Sequence, residues 1–158
     1  MFQDIQAALV AWLEAEQGPG KRLRGVNTVR SGDRAPLYGT SHPLVTVDFE
    51  DTVELEPGTV GVTLGYPFAV CLYTQNIEGP DAAREDLWRL LWSVQDGADV
   101  GLLPSLLVLQ TRGLSAGGLR YFVRMGTPQT GRVDDDEGLS AGALVPVTAV
   151  LQRGIPAN

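Results

Sequence analysis

The sequence predicts an α+β fold: a mostly antiparallel sheet with an N-terminal helix and a central helix packed on one face. Helical patterns at residues 2–16 and 80–96 are separated by a run of β-type segments, and further β-type segments follow the second helix. Few connections are long enough to link parallel strands, which favours antiparallel pairing. The 158 residues, 44% of them hydrophobic, fit one domain spanning residues 1–158 with a sizeable core.

The first helix is indicated by apolar side chains at helical spacing in residues 2–16, followed by Gly18-Pro19-Gly20 as a stop. Residues 21–34 then carry five basic side chains and one acid, with valine and leucine interspersed, which predicts a short strand and a loop. Such a charged run is usually a solvated connector. The functional alternative is a patch that meets an acidic partner.

Three β-type segments lie between this basic run and the central helix. Residues 44–49 alternate as a half-buried strand does, and residues 53–55 indicate a further edge strand. Residues 59–75 form a long β-type run, which we expect to be interrupted at Gly65-Tyr66-Pro67 because proline cannot donate to the strand ladder.

The central helix has the strongest signals in the chain. Gly79-Pro80-Asp81 supplies an N-cap position, a preset φ and a negative charge for the helix start, and Gly97 supplies a left-handed stop after Asp96. Its apolar side chains cover an arc wider than packing against one surface requires. Trp88 and Trp92 are therefore not both needed to cover the sheet. These tryptophans are either rim residues of one core or a surface buried against another subunit.

Three strands are predicted after the central helix. Residues 104–111 combine leucines with polar side chains, residues 119–125 alternate, and residues 143–152 close the chain. Pro146 is expected to limit the last of these to an edge or a bulge.

The composition disfavours several classes of function. A net charge of −7 disfavours nonspecific nucleic-acid binding. No apolar run is long enough to span a membrane and the N-terminus lacks a basic signal-peptide start, so we expect the protein to stay in the cytoplasm of the cell that makes it. The single cysteine, Cys71, cannot form an intrachain disulfide and is expected to be a buried small hydrophobe.

No motif in the sequence names a reaction. Residues 113–117 and 138–142 both match G-x-S-x-G, but each leads into a predicted strand, and the only histidine, His42, lies upstream of both serines. The acids of residues 134–137 lack the spacing of a calcium loop, and His42 has no second histidine or cysteine nearby to complete a zinc site. We therefore expect no enzyme activity, no catalytic residues, no metal and no cofactor.

The order of these elements resembles that of the tail terminator or tail completion proteins of long-tailed phages. The segments that contribute most to the resemblance are Pro43-Leu44-Val45-Thr46-Val47, the strand at 68–73, and the helix that begins with Asp81-Ala82-Ala83-Arg84 and continues to residue 91. The resemblance covers nearly the whole chain. It implies a virion structural protein that forms a ring, usually of six copies, ending the tail tube. Its implied partners are other copies of itself, the tail tube protein and a head connector or neck protein, at the head-proximal end of the tail.

In such a ring, residues 30–43, 50–60 and 127–141 are the loops expected at subunit boundaries. The basic and acidic stretches of neighbouring copies could then meet head to tail, with aromatic side chains as anchors. The interface residues predicted on this basis are Arg30, Arg34, Trp88, Trp92, Asp134, Asp135 and Asp136.

Two alternatives to a virion subunit remain open from the sequence. One is a small enzyme or ligand-binding domain whose site forms only in the fold, around Tyr66, Tyr73, His42 and Arg34. The other is a protein-interaction module without catalytic activity that binds a different protein through the wide apolar helix. Self-association separates the virion subunit from the interaction module.

Overall fold

The computed structural model of the protein describes residues 1–32, 42–132 and 140–154. The helices in these ranges are α1 (Phe2–Ala15), α2 (Pro80–Leu91) and α3 (Leu102–Arg112). The strands are β1 (Thr28–Ser31), β2 (Leu44–Phe49), β3 (Glu54–Pro57), β4 (Gly61–Gln75), β5 (Ser93–Gln95), β6 (Ala98–Val100), β7 (Leu114–Ala116), β8 (Leu119–Met125), β9 (Gln129–Arg132) and β10 (Ser140–Gly154).

The main sheet has the strand order β1-β2-β4-β10-β8-β7, with β3 added along β4 and β9 along β10. The pair β1–β2 is parallel, and the other described pairs of this sheet are antiparallel. Strands β5 and β6 form a separate two-stranded hairpin. The predicted α+β fold with a mostly antiparallel sheet is therefore confirmed, and the helix at the N-terminus is confirmed as α1.

Two prolines lie inside long central strands, where the sequence predicted breaks or edges. Strands β4 and β10 each run unbroken for 15 residues and pair with each other along their whole length. Pro67 lies where the other edge of β4 changes partner from β3 to β2, and Pro146 lies where β10 changes partner from β9 to β8. Each proline therefore lies where neither of the two successive partner strands pairs with that edge. The missing N–H groups remove no hydrogen bond between paired strands.

The central helix is shorter than predicted. It starts at Pro80 after the Gly79 N-cap as expected, but it ends at Leu91, and Trp92 is already extended (φ −160°, ψ 123°). Residues 93–100 form the β5–β6 hairpin, in which Asp96 and Gly97 have φ of 52° and 78°. Positive φ at both central residues is the geometry of a two-residue hairpin turn, for which Asp-Gly is a preferred sequence.

The predicted strand at 104–111 is wrong, because this segment belongs to helix α3. Leu102, Leu106 and Leu109 are buried at positions i, i+4 and i+7, which is one face of a helix. Pro104 is tolerated because it lies in the first turn, where a backbone N–H has no intrahelical acceptor.

The core lies between the three helices and one face of the main sheet. Along β4, Tyr66, Phe68, Val70 and Leu72 belong to one hydrophobic cluster with buried side chains of all three helices. Cys71 lies on the opposite face of β4 and is also buried, as predicted, and burial raises the pKa of its thiol. Within the described ranges, no helix is both long and apolar enough to cross a membrane.

Candidate subunit interface

Trp88 and Trp92 present aromatic surface to solvent at the end of α2. The exposed fractions of these residues are 51% and 47%. The indole Nε1 of Trp92 donates a hydrogen bond to Asp99 Oδ1 at 2.9 Å, so its polar group is satisfied within the chain. Val94, two residues beyond Trp92, is 69% exposed. This end of the molecule therefore carries an apolar surface of the kind that protein partners cover.

A groove of about 570 Å³ opens beside Trp92. It lies between the segment that follows α1, the β5–β6 hairpin and α3. Its apolar lining is Trp92, Ala98, Pro104, Leu107 and Val108, and its charged lining is Glu16, Lys21, Arg22, Arg24 and Asp99. We call this the basic groove, because three cations face two carboxylates in a chain whose net charge is −7.

A partly buried polar network fixes one side of the basic groove. Arg22 Nη1 donates to Glu16 Oε1 at 2.8 Å and to Oε2 at 3.2 Å. The hydroxyl of Ser105, which is fully buried, donates to Glu16 Oε1 at 3.3 Å and accepts from Trp12 Nε1 at 3.2 Å. Because Arg22 neutralises the charge of Glu16, the positive charge that remains in the groove comes from Lys21 and Arg24.

The backbone also ties this side of the groove to α3. The N–H of Gly101, the N-cap of α3, donates to the Arg22 carbonyl at 2.8 Å, and the N–H of Leu23 donates to the Glu16 carbonyl at 2.8 Å. The Arg24 Nε donates to the Lys21 carbonyl at 2.8 Å. The basic side chains are therefore held on an ordered backbone, which lowers the entropy cost of binding a partner.

Of the charged residues predicted at the interface, the structure describes only Arg30. Arg30 lies on β1 opposite Thr46 of β2, and its side chain is half-buried instead of being part of an exposed patch. Arg34 and the acids Asp134, Asp135 and Asp136 lie outside the described residues. The head-to-tail contact between these two stretches therefore stays a prediction.

The basic groove is not predicted from the sequence, although Lys21, Arg22 and Arg24 belong to the basic run at residues 21–34. Glu16 and Ser105 are 89 positions apart, and no spacing in the sequence links them. The one available signal was the short segment from Gly18 to Arg24, which brings three basic side chains directly after an amphipathic helix.

The structure places two members of the alternative ligand site, Tyr66 and Tyr73, on opposite faces of the sheet. Tyr66 faces the core, whereas Tyr73, seven positions later on the same strand, faces the opposite side of the sheet.

Ser115 of the first G-x-S-x-G match lies on β7 after helix α3, not on a strand-to-helix turn. The second match begins outside the described residues, and its Ser140 is buried at the start of β10. Within the described ranges, no group of three or more His, Cys, Asp or Glu side chains is placed to hold a metal ion.

The fold as a whole is similar to that of a solved virion protein. The match is to a chain in the structure described as "Virion of native gene transfer agent (GTA) particle", with a TM-score of 0.58 and 15% sequence identity. It covers 96% of this chain and 97% of that chain. No protein-family model matches the sequence, and no curated protein matches it. At this identity the similarity establishes a shared fold over almost the full length of both chains.

Proposed function

We propose that this protein is a structural protein of a phage-like virion, without catalytic activity. The observation that carries the proposal is the fold, which matches a chain of a gene transfer agent virion from end to end with a TM-score of 0.58. The resemblance of residues 43–47, 68–73 and 81–91 to phage tail terminators supports the same class of protein.

The finer proposal is that copies of the chain form a ring, with six members, that ends the tail tube and joins it to the head connector or neck protein. Its place in the particle is then the head-proximal end of the tail. A ring needs a surface that is exposed on one copy and covered by the next, and Trp88, Trp92 and Val94 provide exposed apolar area of that kind. Exposed charge pairs contribute only about 0–1 kcal/mol each, so apolar burial must stabilise the ring.

Replacing Trp92 by alanine is expected to weaken self-association about tenfold or more. Aromatic side chains at the centre of an interface commonly account for about 2 kcal/mol or more of binding free energy, and Trp92 combines exposed area with a place on the basic groove. Analytical ultracentrifugation over a range of protein concentrations measures the change.

Ile77→Ala is the matched control, because Ile77 is 92% exposed but lies before α2, away from the groove. It is expected to leave self-association unchanged. Circular dichroism establishes that both variants are folded. An unchanged oligomeric mass for folded Trp92→Ala would rule out Trp92 as an anchor of the ring.

A further inference from the structure

A second charged surface lies at the end of the sheet formed by β3 and the end of β2. Residues 48–56 contain five acids and no basic residue. All five acids are exposed: Asp48, Glu50, Asp51, Glu54 and Glu56. Val53 and Leu55, within the same segment, are 47% and 66% exposed. We call residues 48–56 the acidic arm.

Strand β3 of the acidic arm carries two acids on one face and an apolar side chain on the other. Leu55 pairs with Leu64 of β4, and Glu54 and Glu56 point to the other face of β3. Glu54 already forms an ion pair with Arg124 at 2.9 Å, which passes over Gly65, whereas Glu56 has no such partner among the described residues. Within the described ranges β3 pairs only with β4, so its outer edge is open.

The acidic arm and the basic groove lie at opposite ends of helix α1. Phe2, at the start of α1, stacks on Phe49 at 4.6 Å, and Phe49 stands between Asp48 and Glu50 of the arm. Glu16, the C-cap of α1, lines the groove. A 14-residue helix is about 20 Å long, so the two surfaces do not meet within one chain.

We infer that the acidic arm of one copy docks in the basic groove of the next copy. The inference rests on the proposed ring and names the two surfaces that would form it. Complementary patches at opposite ends of one chain make a head-to-tail contact, which is the type that generates rings. The occupant of the groove is thus a second copy of this chain, oriented by charge complementarity.

The groove offers basic side chains to the acids of the arm and apolar side chains to Leu55. Lys21 and Arg24 face the acids, while Trp92, Leu107 and Val108 offer apolar area for Leu55. The contact covers apolar groups at both surfaces and brings opposite charges together, so electrostatics sets the orientation of the two copies and apolar burial stabilises it.

Zero-length carbodiimide cross-linking tests this contact directly, because Lys21 is the only lysine in the chain. The multimer is assembled from an equal mixture of ¹⁵N-labelled and unlabelled protein, cross-linked, and digested for mass spectrometry. We expect mixed-isotope peptides that join Lys21 to Glu50, Asp51 or Glu56. Cross-links from Lys21 only to Asp134, Asp135, Asp136 or Glu137, or none in an intact multimer, would overturn the arm as the occupant.

Charge reversal provides a second, independent measurement. Lys21→Glu with Arg24→Glu, and separately Glu50→Lys with Glu56→Lys, are each expected to weaken self-association at least about tenfold, because like charges then face each other. The variant that carries all four changes has the wild-type net charge and is expected to recover most of the affinity. If a multimer forms and none of these variants alters it, the arm contact is wrong and the ring stands; if the wild-type chain forms no multimer, both are wrong.

Discussion

Replacing Gly101 by alanine is expected to lower the free energy of unfolding by about 3 kcal/mol or more. Gly101 links the β5–β6 hairpin to α3 with φ of 127°, a conformation that costs about 1–3 kcal/mol for a residue with a side chain. An added Cβ would also lie 2.5 Å from the Leu91 carbonyl oxygen and 2.7 Å from that of Leu90. Both oxygens are backbone atoms at the end of α2, so relieving the contact requires α2 to move, at a further cost of about 1–3 kcal/mol.

Gly18→Ala separates the two contributions. Gly18 also has a positive φ, 105°, but no atom lies within 4 Å of the Cβ that alanine would add there. It should lose only about 1–2 kcal/mol, the cost of the backbone conformation alone. Urea denaturation followed by far-ultraviolet circular dichroism gives both values. Equal losses for Gly101→Ala and Gly18→Ala would contradict the close approach of the hairpin to α2.

Replacing Leu106 or Leu109 by alanine is expected to cost about 3 kcal/mol in each case. Both side chains are almost completely buried, and truncating a buried leucine typically costs about 2–5 kcal/mol. Leu107, between them, lines the groove and is only partly buried, so Leu107→Ala should cost about 1 kcal/mol.

This pattern distinguishes a helix from a strand at residues 102–112. On a helix, positions 106 and 109 share a face; on a strand they lie on opposite faces. Thermal or urea unfolding of the three variants measures the pattern. A large loss for Leu106→Ala with a small one for Leu109→Ala would contradict helix α3.

The sequence predicts an element well where several local signals agree. Gly79-Pro80-Asp81 correctly gives the start of α2, because a cap, a preset φ and a favourable charge coincide there. The end of α2 is not predicted correctly because Asp-Gly suits both a helix stop and a hairpin turn, and the apolar pattern continues through Trp92 and Val94. Tertiary pairing decides between these two uses of the same residues.

The elements that differ from the prediction have ambiguous patterns. The leucine-rich segment at 102–112 fits a helix period and, with Ser105 and Gln110 among the leucines, also looks like a strand. Pro67 and Pro146 are expected from the sequence to break strands, because the sequence of one strand does not show where its partner strands end. Their positions at the gaps of the ladder follow only from the register of four other strands.

The candidate interface is predictable in part. The width of the apolar arc predicted for the central helix indicates Trp88 and Trp92, which the structure places at the surface. The basic groove combines residues of three separate segments, and the acidic arm spans the end of β2 and strand β3, which the sequence predicts only as an edge. Their placement at opposite ends of α1 depends on the packing of Phe2 against Phe49, a contact that no local pattern specifies.

The absolute mass of the purified protein, measured by light scattering behind a sizing column at low and high concentration, tests self-association most directly. We predict a discrete species at an integer multiple of the 16.9 kDa protomer, or a concentration-dependent shift towards one. Six copies in that species would match the proposed ring. A 16.9 kDa monomer at every concentration would contradict the proposal.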